Sequence, residues 1–455
     1  MSSAEVVICG AGIAGVAAAY FLTQKGLREV VIVEQGDPLS LTSDKSTEAY
    51  RNWWPGPDGQ MTALMNHSLE LLEGIAQQTA NRIRLNRRGY LYASGEAAQV
   101  EALLQSAQTA ALQGAGPLRE HTQPHTYRPS PAEGLGAGLD GADLIRGSAL
   151  IRRLFPYLNP QTQAVLHVRK AGWLSAQQLG IYLLEQARTR GARLLRGEVV
   201  GVETQGGAVR SVQVREGSGE VRSIETSFFV AAAGPQQAAV GRLLGLELPL
   251  LAELHLKVSF GETLGVVPRE APMLIWQDPL RLPWSPEERT LLAEESATSW
   301  LLEELPGGAH CRPDGPPDSP TLIVLFNHHT QPVAPVFPLP IPPYYAEVAL
   351  RAMAVMLPGL ERYFNRVPRP YIDGGYYLKT QENRPLIGPL PLKGAYIVGA
   401  LSGFGVMAAC AAGELLAAHV LGEALPGYAP AFLLSRYQDP AYLARLAAFG
   451  DGAQL

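Results

Sequence analysis

Near its start the chain carries Gly10-x-Gly12-x-x-Gly15 between two apolar stretches, and few folds accommodate that spacing. EVVICG reads as a strand, AGIAG as a turn, VAAAYFLTQKG as a helix and EVVIVEQ as a second strand. This is a complete βαβ unit whose helix stops at Gly26. Gly10 permits the tight turn after the strand, Gly12 lets the backbone approach a pyrophosphate, and Gly15 lets the helix pack close to the sheet. The helix start, around Ile13 and Ala14, offers N–H groups and a positive dipole end to phosphate. Glu34 ends the second strand, followed by Gln35; a carboxylate there accepts hydrogen bonds from ribose hydroxyls and repels a 2′-phosphate. The fingerprint predicts a dinucleotide site. By itself it does not separate FAD from NAD.

With 455 residues the chain is too long for one compact core, so two domains or a discontinuous pair are expected. A composition of 47% hydrophobic and 17% charged residues is that of a globular protein. The net charge of −5 argues against a nucleic-acid partner, which needs a basic surface. Cys9, Cys311 and Cys410 form no CxxC pair, which points to a reducing cytoplasm and to neither a zinc site nor a disulfide framework. The opening MSSAEVVICG lacks the basic start and long apolar run of a secretory signal. Ala395 to Gly413 is uncharged and close to the length of a membrane span. AYIV within it reads as a strand, LSGFG as a loop and VMAACAAGELLAAHVLG as a packed helix, so no span is expected.

Further along, Met61 to Gln78 looks helical and RLNRRGYLYAS looks like a strand pair. A helix between Gly172 and Gly191 precedes ARLLRGEVVGVET, a hairpin in GGAVRSVQVREGSGEVRSIET, and FFVAAAG. HLKVSF and TLIVLF alternate as strands do. Pro306 to Pro320 and Pro332 to Pro343 read as loops, either exposed linkers or the rim of a site.

From the glycine fingerprint, through GWLSAQQL at 172–179 and AAAGP at 231–235, to RPLIGPLPLKGAYIVGALSGFGVMAACAAGELLA at 384–417, the chain resembles the D-amino-acid oxidase/sarcosine oxidase family of flavoproteins. The resemblance implies an α/β fold: a Rossmann-like FAD-binding domain of the glutathione-reductase type, with an inserted α+β substrate domain on an antiparallel sheet. The expected division is 1–85, 166–246 and 376–430 for the FAD domain, 86–165 and 247–375 for the substrate domain, and 431–455 as a C-terminal tail. By motif, Gly10, Gly12, Ile13, Ala14, Gly15, Glu34 and Gln35 would hold the ADP half of the cofactor. Val200 would meet the adenine through its backbone and Gly234 would sit near the pyrophosphate. Gly403, Phe404, Gly405, Val406 and Met407 would lie at the flavin pyrimidine, where a helix start can stabilise negative charge on the reduced ring.

The stretch Thr42 to Arg51 resembles the family's flavin-covering loop, with Lys45, Ser46 and Thr47 beside the cofactor and Arg51 placed to orient a substrate carboxylate. Trp53 and Trp54 read as packing. Several departures from the family pattern matter. The cysteine that anchors FAD covalently in some members is Gly375 here, which predicts non-covalent FAD. A carboxylate-binding arginine is replaced by Tyr377, and a lysine after the glycine motif by Met407. A lysine that promotes reaction with oxygen is missing from TLIVLFNHH at 321–329, which predicts slow reoxidation by air unless His328 substitutes. His328 and His329 point to opposite faces of a strand, so at most one enters the pocket. His255 and Lys257 share a face that reads as solvated, and Tyr376 and Tyr377 read as pocket walls.

The sequence therefore predicts an FAD enzyme that oxidises the C–N bond of a small amine or amino acid to an imine by hydride transfer to flavin N5. Arg51, Tyr377, His328 and Met407 are the candidate catalytic positions. The acceptor would be oxygen, a quinone or a carrier protein, and the substrate bulkier than glycine or sarcosine. A 2-hydroxy-acid dehydrogenase, a non-catalytic FAD-binding subunit of an electron-transfer complex and an NAD-only dehydrogenase remain as rivals.

Overall fold

The computed structural model describes residues 2–446 except 136–137, 262, 264, 317, 329–330 and 368; His329 lies outside the described residues. The glycine fingerprint sits where its spacing requires. Strand Val6–Cys9 leads into helix Ile13–Gln24, and strand Val30–Glu34 returns beside the first. The helix is apolar nearly all round because it is covered on both sides. Helix Gly405–Leu421 packs against it so closely that a Cβ at Gly413 would stand 2.7 Å from the carbonyl carbon of Ala17. By length and composition alone Ser402–Leu421 could cross a membrane; here it is a core helix, enclosed by Ile13–Gln24 and Gln60–Gln78.

Among the described residues the strands form four sheets. One has six strands in the order 193–196, 30–34, 6–9, 228–231, 395–399, 386–389. The first five run parallel and the last is antiparallel to its neighbour. Buried on both faces, its central strands are continuous apolar runs rather than alternating ones. A small antiparallel meander, Glu198–Gln205, Ala208–Arg215 and Val221–Glu225, flanks it and contains the expected hairpin. The third sheet has nine strands, mostly antiparallel, and runs from Pro370–Lys379 at one edge to Leu118–His121 at the other. Strands Ala164–Val168 and Pro370–Lys379 straddle the expected boundaries at 166 and 376, and both belong to this sheet. Ala49–Arg51 and Ala171–Trp173 make a two-stranded clasp.

Two local readings are corrected. RLNRRGYLYAS gives one strand, Tyr90–Ser94, because Asn81 and Arg84 take left-handed backbone ahead of it. Pro306 to Pro320 is not wholly loop: His310–Pro313 is an inner strand of the nine-stranded sheet, with its proline confined to the last position. Residues 431–446, within the expected C-terminal tail, pack against the body, where buried Arg436 pairs with Glu382 at 2.8 Å.

Candidate active site

The parallel strands end at a cavity of about 880 Å³. Its walls come from the glycine turn (Gly10, Gly12, Ile13, Ala14), Glu34, the loop 39–46, Ala232 to Pro235, and the stretch 398–406. Each glycine has a distinct reason to be there. A Cβ at Gly15 would stand 2.0 Å from the Gly10 carbonyl oxygen, so this glycine lets the helix meet the turn. Gly10 has φ +109° and faces the Ala232 carbonyl. At Gly12 the nearest atom to an added Cβ is Ser43 Oγ at 3.4 Å, so that position opens into the cavity. Glu34 is held by the N–H groups of Ala11 (2.8 Å) and Gly36 (2.9 Å), and Ser43 Oγ accepts from the Ile13 N–H. On the opposite wall Ala400 (φ 54°) and Ser402 (φ 45°) adopt left-handed backbone without being glycines. Such conformations cost about 1–3 kcal/mol each and gather at functional sites; both residues line this cavity.

A second cavity of about 1270 Å³ adjoins the first, with Tyr377 and Gly403 in both walls. A Cβ at Gly403 would press to 2.5 Å from the Tyr377 ring, which explains the glycine at this junction. Arg51, Tyr90, His255, Met273, His310, Asn327 and Met407 also line it. Arg51 is 4% exposed; its Nε–H donates to the Trp53 carbonyl and its guanidinium lies 4.4 Å from the Trp54 ring centre. His310 is buried and its Nδ1–H donates to the Gly308 carbonyl (2.8 Å); burial pulls its pKa down to about 4, so it is neutral at pH 7. Burial pushes the Tyr377 phenol up to about 12. No carboxylate stands among the described residues lining this second cavity.

A glycine-cradled cavity at the ends of parallel strands, joined to a second cavity under another sheet, is the arrangement of a cofactor site beside a substrate site. The profile of the DAO family, described as FAD dependent oxidoreductase, matches residues 5–419. The chain belongs to the DAO family. It is therefore an FAD-dependent oxidoreductase, with the α/β fold of that family. Solved structures agree on the fold. An L-proline dehydrogenase from P. horikoshii superposes with a TM-score of 0.72 at 19% identity, over 96% of this chain and 98% of that one. A glycine oxidase from Geobacillus kaustophilus gives 0.72 at 16% identity, over 96% and 99%. An L-amino acid deaminase from Proteus vulgaris gives 0.69 at 16%, over 96% and 97%.

In this DAO-family chain the positions singled out from sequence divide clearly. Gly10, Gly12, Ile13, Ala14, Glu34, Ser46, Gly234, Gly403, Gly405 and Val406 line the first cavity. Arg51, Thr47, Tyr377 and Met407 line the second. Tyr376 lines the first, and its hydroxyl is bonded to the backbone of Val336 in the proline-rich strap. Val200 is the extra residue of a bulge, since Val199 pairs with Val214 and Gly201 with Gln213, so its backbone is released from that ladder. Other positions lie elsewhere. Gln35 is exposed. Lys45 pairs with Asp44 (2.7 Å) and Asp373 (3.1 Å). Phe404 turns into the core against Trp54. His328 stacks on Trp300 with ring centres 4.8 Å apart and lines neither cavity.

His310 went unrecognised, and His255 was not read as a cavity residue. The solvated-face reading of His255 and Lys257 is wrong, because the loop 42–48 covers that face of the sheet. His255 is 6% exposed, and Lys257 Nζ donates to the carbonyl oxygen of Ser46 at 3.0 Å. A substrate-sheet lysine thus stands beside Ser46, a residue of the cofactor cavity.

Proposed function

We propose that this chain oxidises the C–N bond of a small amine or amino acid to an imine. The observation that carries the reading is the second cavity. It is walled in part by strands of the nine-stranded sheet, shares a wall with the cofactor cavity, and holds one fixed guanidinium, two imidazoles and no carboxylate among the described residues lining it. Arg51 suits a substrate carboxylate, and the rings of Tyr90 and Tyr377 with Met273 and Met407 suit an apolar remainder. The three proteins superposed above act, by their names, on proline, glycine and L-amino acids.

The residues of the first cavity fit FAD. Gly12 leaves open the space a pyrophosphate needs, Glu34 stands where a ribose edge would reach, and the turn 400–405 offers backbone to a ring. Gly10, Gly12, Ile13, Ala14 and Gly234 would hold the pyrophosphate, Val200 the adenine, and Gly403, Gly405 and Val406 the pyrimidine side. Bound FAD supplies a two-electron acceptor for the hydride of the substrate C–H bond. The protein binds, orients and excludes water around that event. Anaerobic mixing of purified protein with a panel of amines, amino acids and 2-hydroxy acids tests the reading: bleaching of the flavin absorbance by amines or amino acids supports it. A second reading, oxidation of a 2-hydroxy acid, gains from the imidazoles in the cavity, since a hydroxyl must lose its proton to a base. Bleaching by hydroxy acids alone would decide for it.

FAD is expected to be held without a covalent bond. None of the three cysteines, all buried and unpaired, is among the described residues lining either cavity. Gly375 offers no anchor, and a Cβ there would come 3.2 Å from Thr42 Cα. Acid precipitation should leave a colourless pellet under a yellow supernatant. Colour that stays in the washed pellet would overturn the assignment.

A further inference from the structure

Strand Leu251–Phe260 runs antiparallel to Pro370–Lys379, with Leu251 opposite Lys379, Glu253 opposite Tyr377 and His255 opposite Gly375. Side chains directly opposite share a face, so Lys379, Glu253, His255 and Tyr377 form one patch. Within it, Lys379 Nζ lies 2.8 Å from Glu253 Oε1, and Glu253 Oε2 lies 3.2 Å from His255 Nε2. The imidazole stacks on Tyr377 with ring centres 4.0 Å apart at 16° and lines the second cavity. All four side chains are buried, Glu253 at 3% exposure. A lysine–glutamate–histidine chain that ends in a substrate cavity is more than packing, because a buried carboxylate bonded to both of the others fixes their orientation and charge.

We propose that His255 is the proton acceptor for the substrate nitrogen, with Glu253 and Lys379 as positioning residues behind it. The proposal rests on the amine reading above. An amine or amino acid arrives mostly as its ammonium form, which has no lone pair to drive C–N oxidation. The cavity offers that ammonium no carboxylate among its described lining residues and faces it with Arg51. One N–H bond of the ammonium breaks, its proton bonds to the ring nitrogen of His255 that Glu253 does not hold, and the electron pair stays on nitrogen. That pair would then be available to form the C=N bond, with bound FAD as the two-electron acceptor for the hydride of the C–H bond. Since a carboxylate can only accept, Glu253 holds His255 with Nε2 as donor and leaves Nδ1 as acceptor.

The charges around the ring suit this role. The groups facing it are Glu253 on its own strand, Tyr377 and Lys379 on the neighbouring strand, and His310 and Arg51 across the cavity; Lys257, two residues along, bonds to Ser46. Burial lowers the His255 pKa below its ordinary value and Lys379 adds to this, while Glu253 opposes both. The ring is therefore neutral at pH 7. Burial would raise the Glu253 carboxyl, but the hydrogen bonds from His255 and Lys379 outweigh it and keep the group ionised. On taking a proton, His255 becomes an imidazolium beside a carboxylate that is already in place.

The test is the pH profile of kcat/KM in holoenzyme, with the best amine of the panel as probe, for wild type and His255→Asn, His255→Gln, Glu253→Gln and Lys379→Met. A base must be unprotonated, so wild-type kcat/KM should be lost as pH falls through the His255 pKa. Glu253→Gln should move that limb to lower pH, and Lys379→Met should move it to higher pH. A role in packing alone would not give opposite shifts. At pH 7 both His255 variants should fall by about a hundredfold or more in kcat/KM. A readout independent of turnover is the His255 ring titration in isotopically labelled protein by NMR, which should shift in the same two directions. An acid limb unmoved in both Glu253→Gln and Lys379→Met, or His255 variants that keep the wild-type rate and limb, would overturn the proposal while amines still bleach the flavin. Bleaching by 2-hydroxy acids alone would instead overturn the amine reading, and the substrate nitrogen as proton donor with it.

Discussion

Gly12→Val is expected to fold and to purify without colour. An added Cβ at position 12 has only Ser43 Oγ within contact range, at 3.4 Å, so the apoprotein has room for it. That room belongs to the cavity bounded by Gly10, Gly234 and the 398–406 turn, where a branched side chain would occupy the pyrophosphate's space. The neighbouring glycines differ. At Gly15 a Cβ would fall 2.0 Å from the Gly10 carbonyl oxygen, and at Gly10 it would fall 2.4 Å from the Ala232 carbonyl oxygen. Substitution at either strains the turn itself and costs stability before any question of cofactor arises. Gly12→Val therefore separates binding from folding. Its circular dichroism should match that of wild-type apoprotein, and flavin should be missing from the protein peak after gel filtration. Added FAD at about a hundred times the wild-type Kd stabilises wild type by about 2.7 kcal/mol through mass action. The variant should show no such rise in Tm. A yellow Gly12→Val protein with wild-type FAD content would remove the glycine turn from the cofactor site.

Much of the fold was legible because the N-terminal βαβ unit is specified locally. Gly10, Gly12, Gly15 and Glu34 each meet a backbone requirement that can be read without knowing the rest of the chain. The helix Gly405–Leu421 was legible for a similar reason, since small residues at a strand-to-helix turn announce close packing. The substrate cavity was not legible to the same degree, because its walls are brought together by sheet register across long sequence separations. Glu253, His255 and Lys257 alternate with apolar neighbours just as a solvated strand face would. Only the tertiary arrangement shows that the loop 42–48 lies over that face, where Lys257 meets Ser46 and Thr42 meets Tyr376. His310 was hidden by its surroundings, a four-residue inner strand within a stretch rich in proline and glycine. The reverse error befell His328, whose place after an apolar strand looked promising but whose ring is taken up by Trp300. Lys45 shows a further limit: its place in the loop was read from sequence, yet Asp373, far away in the chain, supplies one of its partners.

Arg51→Ala is expected to raise KM for a carboxylate-bearing substrate by about a hundredfold while the flavin spectrum is kept. The residue ends the strand Ala49–Arg51, which the clasp with Ala171–Trp173 fixes, and its side chain turns into the second cavity. Trp54 beneath the guanidinium and the Trp53 carbonyl at its Nε–H hold the fork in one orientation. Little rotamer entropy is then lost when a carboxylate arrives, and the low-polarity surroundings of Tyr90, Met273 and Met407 strengthen the pair. One charge-assisted interaction of this kind contributes about 1.5–3 kcal/mol, and its upper part corresponds to the hundredfold change. If carboxylate binding is equally strong before and during the reaction, kcat should stay within a few-fold and the loss should appear in KM. Arg51→Lys should recover only part of the affinity, because an ammonium on a flexible stem cannot present two parallel N–H groups or stack on Trp54 as the planar group does. A decarboxylated analogue of the same substrate should bind wild type and Arg51→Ala about equally. Steady-state kinetics of the three proteins with both compounds checks this. Unchanged KM for the amino acid in Arg51→Ala would take Arg51 out of substrate binding, and with it the main reason for expecting a carboxylate on the substrate.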